Sequence, residues 1–258
     1  MQQAGSLMGG LGQSFGSLLG SSNKVMPKSE QELSAEELAL GPQIAGRVLG
    51  ARPLWNDAAA QQRVNVVGRW VASQTNATSL PWTFGVIDTP EINAFAAPGG
   101  YVMVTRGLYE LLSSDSELAA VLGHEISHCV QRDHYNVIRN QEMATLGKDT
   151  VLSKTTVATG SPAELFARQY VEKHGATILL TSMDREAEYR ADKAAEIYLA
   201  RSGMNPMALY SVLQKMASLG TQSAGLAQLY KTHPPLDARM DHIDERGYEA
   251  LSAYVTRD

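Results

Sequence analysis

Two histidines four residues apart, with a glutamate beside the first, constrain this chain more than any other feature: His124-Glu125-Ile126-Ser127-His128. On a helix, positions i and i+4 share a face, with Cβ atoms about 5–6 Å apart. Two imidazoles so placed can converge on one ion at Zn–N distances of about 2.0–2.1 Å. Glu125 then lies beside the pair, positioned as general base toward a water activated by that ion. The plain alternative is two surface histidines on an ordinary helix.

The neighbouring residues favour a helix here. Ser114-Asp115-Ser116-Glu117 is a capping box, with the serine oxygen on a backbone N–H and the glutamate reaching back to the cap. Leu118, Val121, Leu122, Ile126, Cys129 and Val130 give that helix a core-facing side. Cys129, the single cysteine, reads as a small packed hydrophobe. Alone it excludes an internal disulfide framework.

The remaining chain supplies helices and a little sheet. Helices are expected within 29–49, with a break near Gly41-Pro42, and over 57–75, with Asp57 near its start. Trp82-Thr83-Phe84-Gly85-Val86-Ile87 alternates weakly, and Asn93-Ala94-Phe95-Ala96 and Tyr101-Val102-Met103-Val104 flank Pro98-Gly99-Gly100, which reads as a hairpin. Residues 144–160 are small and polar, a candidate lid. Ser161-Pro162 restarts a helix, another covers about 183–201 and stops at Gly203, Asn205-Pro206 opens the next, and a last one follows Thr232-His233-Pro234-Pro235. The fold class is therefore α+β, mainly α, with a small β-sheet bordering the His124–His128 helix.

At 258 residues with 44 % hydrophobic and 19 % charged side chains, the chain is expected to be globular and able to bury a core. A net charge of −5 gives no basic surplus for nucleic acid. No run of 18 apolar residues suggests a transmembrane segment. Residues 1–28 form a Gly/Ser-rich leader or docking segment ahead of a single domain over 29–258. Between 5 and 20 its apolar residues and glycines follow helical spacing, which suits docking on a partner or a membrane surface. It is equally a flexible leader, since each glycine costs a helix about 1 kcal/mol.

A catalytic zinc needs a third protein ligand and an open position. Two candidates predict different enzymes. His134 stands ten residues after His124, the metzincin spacing, but Gln131 occupies the place of that pattern's helix-breaking glycine. If the helix continues, His134 lies about 15 Å along the axis from His124, too far to share an ion. Glu188 is the other candidate. It is i to the i+4 of Asp192, so one carboxylate can bind zinc while the other accepts the second ring N–H of a ligating histidine. The plain reading of that stretch is a solvated charged face.

The HExxH pentad, the Glu188-x-x-Ala191-Asp192 helix, Asn93-Ala94-Phe95-Ala96-Ala97-Pro98-Gly99-Gly100 upstream, and Thr232-His233-Pro234 followed by Arg239 occur in an order that resembles the HtpX / CAAX-prenyl-protease (Ste-type) family of gluzincin zinc metallopeptidases, over roughly 35–247. The resemblance implies a zincin-type domain with one Zn2+ per chain, held by His124, His128 and Glu188. It implies Glu125 as general base and Asp192 as the carboxylate behind a ligand. It also implies substrate taken as an added strand along Asn93, Ala94, Phe95 and Ala96. His233 and Arg239 are candidate oxyanion donors, and His233 alternatively an inhibitory fourth ligand. The lack of transmembrane helices is closer to the soluble, BepA-like periplasmic branch. That branch implies export to the cell envelope and hydrolysis of unfolded or misassembled proteins. The rivals are an autoinhibited binder or chaperone on the same scaffold, and a metzincin using His134.

Overall fold

The computed structural model describes residues 30–146, 161–174 and 183–247. The leader, most of the candidate lid and residues 248–258 lie outside them. By internal packing the chain divides into residues 1–35 and 36–258; the described part of the first is the opening turn of a helix, and all packing below belongs to the second.

Helix α1 spans Glu30–Ala51 and α2 spans Ala58–Ala72. Asp57 caps α2 by accepting from the Ala60 N–H at 3.0 Å. The expected break at Gly41-Pro42 does not occur: Pro42 sits inside a continuous α1. Gly41 is needed for packing, because a Cβ there would stand 2.2 Å from the Pro98 carbonyl oxygen.

Strands β1 (Thr83–Ile87), β2 (Ala94–Ala97) and β3 (Tyr101–Thr105) form one sheet in the order β1-β3-β2. The β2–β3 hairpin is antiparallel, with Ala94 opposite Val104 and Ala97 opposite Tyr101. Its turn needs Gly99 and Gly100, at φ 77° and 88°. β1 runs parallel to β3, Thr83 beside Tyr101. This pairing was not anticipated, since parallel strands are joined through a crossover and leave no local turn signal.

A short α3 (Arg106–Leu111) follows β3 directly, capped by Thr105. Then come α4 (Asp115–Gln131), α5 (Asp133–Leu146), α6 (Pro162–His174), α7 (Arg185–Arg201), α8 (Ala208–Ser218), α9 (Leu229–Thr232) and α10 (Leu236–Arg246). Ser114 caps α4 through the Glu117 N–H at 3.2 Å, while the Glu117 carboxylate accepts from the Ser113 N–H at 2.6 Å. The apolar face of α4, with Leu118, Leu122 and Ile126 fully buried, joins one core with α2, the sheet, α7 and α8. Cys129 is packed there, its Sγ 3.4 Å from the Ala97 carbonyl oxygen. Burial pushes its thiol well above the usual range, so it stays protonated.

Helices α4 and α7 approach closely because both present small residues. A Cβ on Gly123 would lie 3.3 Å from the Ala195 Cα. Ala187, Ala191 and Ala195 are all buried on α7. That closeness sets the site, because the charged residues of α7 alternate with these alanines.

Candidate active site

Residues 185–201 contain Glu188, Asp192 and Glu196, spaced by four on one helical face. All three are buried, and Glu188 and Asp192 completely. A buried carboxylate is costly unless paired or coordinated. The reading of this stretch as a solvated face is therefore excluded, and each acid must have a counterpart.

Asp192 has two. Arg239 of α10 donates to it from Nε at 2.9 Å and from Nη2 at 2.6 Å. His124 Nδ1 lies 2.8 Å from Oδ1. These cations outweigh burial and hold the Asp192 carboxyl far below its ordinary range. Glu188 differs: neither carboxylate oxygen makes a hydrogen bond. Around it stand three imidazole nitrogens, His124 Nε2 at 3.5 Å, His128 Nε2 at 3.6 Å and His233 Nε2 at 3.9 Å. The two pentad rings are almost perpendicular, with His124 Nε2 and His128 Nε2 3.2 Å apart.

One donor atom from each of His124, His128, Glu188 and His233 lies within 4.8 Å of the others. Two pentad histidines, a buried carboxylate with idle oxygens and a third imidazole form a donor set that fits a divalent cation of the zinc type. Burial and Arg239 oppose protonation of His124, but Asp192 and Glu188 raise its pKa to about 9. Glu188 is disfavoured by burial, yet the surrounding histidines hold its carboxyl far below the usual range.

Glu125 is buried beside this cluster and lines two adjoining cavities. Burial, reinforced by Glu188 against the histidines and Arg239, raises its pKa above the ordinary value. That moves it toward what a general base operating near neutrality requires. One cavity is bordered by Asn93, Ala94, Phe95, His128, His134, Met183 and His233. The other is mainly apolar, lined by Ala94, Val121, Leu209, Val212, Leu213 and Met216 together with His124, His233 and Arg239.

The expectation that α4 runs on past Gln131, carrying His134 away, is overturned. Arg132 adopts φ 57°, ψ 30° and ends the helix. The chain restarts at Asp133, at the head of α5, and His134 swings back until its ring is 5.7 Å from that of His128. His134 borders the cavity yet contributes no atom to the convergent set, whose carboxylate is Glu188. It stands in the first turn of α5.

His233 follows α9 and is placed by Thr232, whose Oγ1 lies 2.9 Å from its Nδ1. Burial, opposed by Glu188 and aided by Arg239 and the other histidines, lowers His233 to about 3. Arg239 meets His124 on the Nδ1 side, its Nη2 at 3.3 Å. Asp133, which sequence reasoning passed over, has Oδ2 2.9 Å from His128 Nδ1. Five residues on along an unbroken helix lies about 140° around the axis, so only knowledge of the break reveals it.

This is the metal-ligating helix pair of a zincin-type metallopeptidase. Residues 58–247 match Peptidase family M48, and the chain belongs to that family. It is similar to the beta-barrel assembly-enhancing protease of Escherichia coli (strain K12), with 30 % identity over 206 residues, 80 % of this chain and 42 % of that protein. The mitochondrial metalloendopeptidase OMA1 of Arabidopsis thaliana is 29 % identical over 164 residues, 63 % of this chain and 31 % of its own length. The metalloprotease LoiP of Escherichia coli (strain K12) is 28 % identical over 173 residues, 66 % and 65 % respectively. The chain thus spans less than half of the first of these relatives. Among the described residues no helix is long and apolar enough to cross a membrane.

Proposed function

We propose that the chain is a zinc-dependent endopeptidase holding one Zn2+ through His124, His128 and Glu188 and cutting extended polypeptide. The unpaired Glu188 carboxylate among three imidazoles carries this reading. Held by these residues, zinc would supply an acidified water and a polarised scissile carbonyl. Glu125 accepts the attacking water's proton on its carboxylate and returns it to the leaving amine. Asp192 keeps His124 oriented with Nε2 toward the cluster, and Arg239, spent on Asp192, acts by holding that carboxylate.

Substrate adds as a strand along β2, the edge of the sheet. Thr105 N–H bonds the Asn93 carbonyl. Antiparallel bonding alternates, so the backbone groups of Ala94 and Ala96 face away from β3. Asn93 Oδ1 is buried without a partner beside the cavity, ready to accept a substrate N–H. The mainly apolar cavity beside Glu125 favours an apolar side chain next to the cut. The envelope setting and the misassembled substrates are part of this reading; the relatives' name for a beta-barrel assembly-enhancing protease supports them.

A second reading rests on His233. Its Nε2 already stands in the donor set, where it can act as a resting ligand that leaves a binder or chaperone. Swung aside, it can donate to the oxyanion instead. Casein hydrolysis and zinc content of wild type, Glu125→Gln and His233→Ala test both. The peptidase reading expects Glu125→Gln to keep zinc and lose about 10²–10⁴-fold in rate. His233→Ala gains activity if the histidine is a resting ligand, and loses about 10²–10³-fold if it serves the oxyanion. Zinc without hydrolysis in all three would leave the binder.

A further inference from the structure

We propose that Asp133 is a positioning residue for His128, set in place by a left-handed break at Arg132 that is pinned from both α1 and α7. The inference rests on reading His128 as a zinc ligand.

Among the described residues Arg132 is the only non-glycine with positive φ. Such a conformation is unfavourable for a side chain with a Cβ, and persists where the surroundings over-determine it. Here they do. The Arg132 N–H caps α4 by donating to the His128 and Cys129 carbonyls. Its Nε lies 2.9 Å from Oε2 of the buried Glu37 on α1. One residue earlier, Gln131 donates to Ser127 Oγ at 2.5 Å and accepts from Arg190 Nε at 2.9 Å. Arg190 lies on α7, between Glu188 and Asp192, and its Nη2 is 3.6 Å from Asp133 Oδ1. One helix therefore carries the carboxylate of the metal cluster and restrains the turn behind His128.

The break re-aims the next carboxylate. Asp133, buried at the head of α5, accepts the His128 Nδ1–H at 2.9 Å. That hydrogen bond fixes the tautomer, leaving the Nε2 lone pair toward Glu188 Oε1. The two histidines are thus backed by carboxylates of different origin. Asp192 stands on the Glu188 helix, one turn along. Asp133 hangs on a turn whose shape depends on Glu37, outside the site. A second link from α1, Tyr135 Oη donating to Glu36 Oε2 at 2.9 Å, clasps the same segment. Zinc affinity should therefore respond to α1.

The test measures zinc affinity by competition with a chromophoric chelator on the full chain. The proteins are wild type, His128→Ala, Asp133→Ala, Asp133→Asn and Glu37→Gln. Imidazole 15N spectra of the zinc-loaded proteins report which nitrogen of His128 holds the proton. Asp133→Ala is expected to weaken zinc about 10–100-fold. Asp133→Asn, which keeps an acceptor, recovers part of that loss, and Glu37→Gln weakens zinc in the same direction but less. His128 should carry its proton on Nδ1 in wild type. Wild-type affinity in Asp133→Ala while His128→Ala loses zinc would overturn the proposal, as would a proton on Nε2. Should Asp133→Ala fail to fold, Asp133→Asn and the wild-type 15N spectrum decide in the same way. Undiminished zinc binding in His128→Ala sinks the ligand reading instead.

Discussion

Two neighbouring turns of α7 bury a carboxylate each, and the two are handled in opposite ways. Asp192 is saturated, with Arg239 on two nitrogens and His124 on a third. Glu188, one turn earlier and equally buried, accepts no hydrogen bond. Three other buried acids, away from the metal cluster, follow Asp192: Glu196 pairs with Arg246, Glu117 with Lys215, and Glu37 with Arg132. An ordinary structural carboxylate in this protein has a protein cation at hand. Glu188 is surrounded instead by imidazoles that change their charge easily, which is the environment a metal ion can take over.

The sharpest way to break that contrast is to remove Glu188. Glu188→Ala should lose zinc and with it essentially all hydrolysis, whereas His134→Ala prepared alike should keep zinc. Metal analysis of both proteins checks this, and retention of zinc by Glu188→Ala would erase the distinction. Next in size is Arg239→Ala, which leaves the buried Asp192 with His124 as its one remaining charged partner among the described residues. It should cost about 3–5 kcal/mol in urea unfolding. Replacing Asp192 and Arg239 together by Leu and Met should recover much of that loss. Metal removal should be milder. A ligand that binds only the folded state at a hundred times its Kd adds about 2.7 kcal/mol. Chelator should lower the melting temperature of wild type and leave that of Glu188→Ala unmoved.

The smallest effect concerns a structural acid. Burial disfavours charge on Glu117, but Lys215 at 2.7 Å and the Ser113 N–H outweigh it and lower its pKa. A lowered folded pKa gives stability that is present above the unfolded value, about 4.3, and lost as pH falls through the folded one. Lys215→Met should therefore be less stable than wild type at about pH 6, and the gap should close toward about pH 3. A constant gap in urea midpoints would mean that the Lys215 contribution is packing alone.

Local patterns were legible wherever the physics is local. The Ser114 cap, the Asp57 cap, the Gly99-Gly100 turn and the helical placement of His124, Glu125 and His128 all follow from interactions spanning a few residues. The four-residue spacing of Glu188 and Asp192 was equally readable. Their burial was not, because a row of acids looks like a solvated face until Ala187, Ala191 and Ala195 are packed against α4. The parallel β1–β3 pairing and the continuity of α1 through Pro42 depended on distant partners in the same way.

By itself, then, the sequence determined the chemistry: two imidazoles on one helical face, a glutamate beside them, and carboxylates four apart on a later helix. Only the tertiary structure decided which of these groups meet. It seated His233 among the ligand atoms, gave Arg239 to Asp192, and turned the chain at Arg132 so that Asp133 reaches His128. Spacing along a helix fixes direction within that helix. Convergence between helices is set by how closely their small residues let them approach, and by which long-range ion pairs hold an unfavourable turn in place.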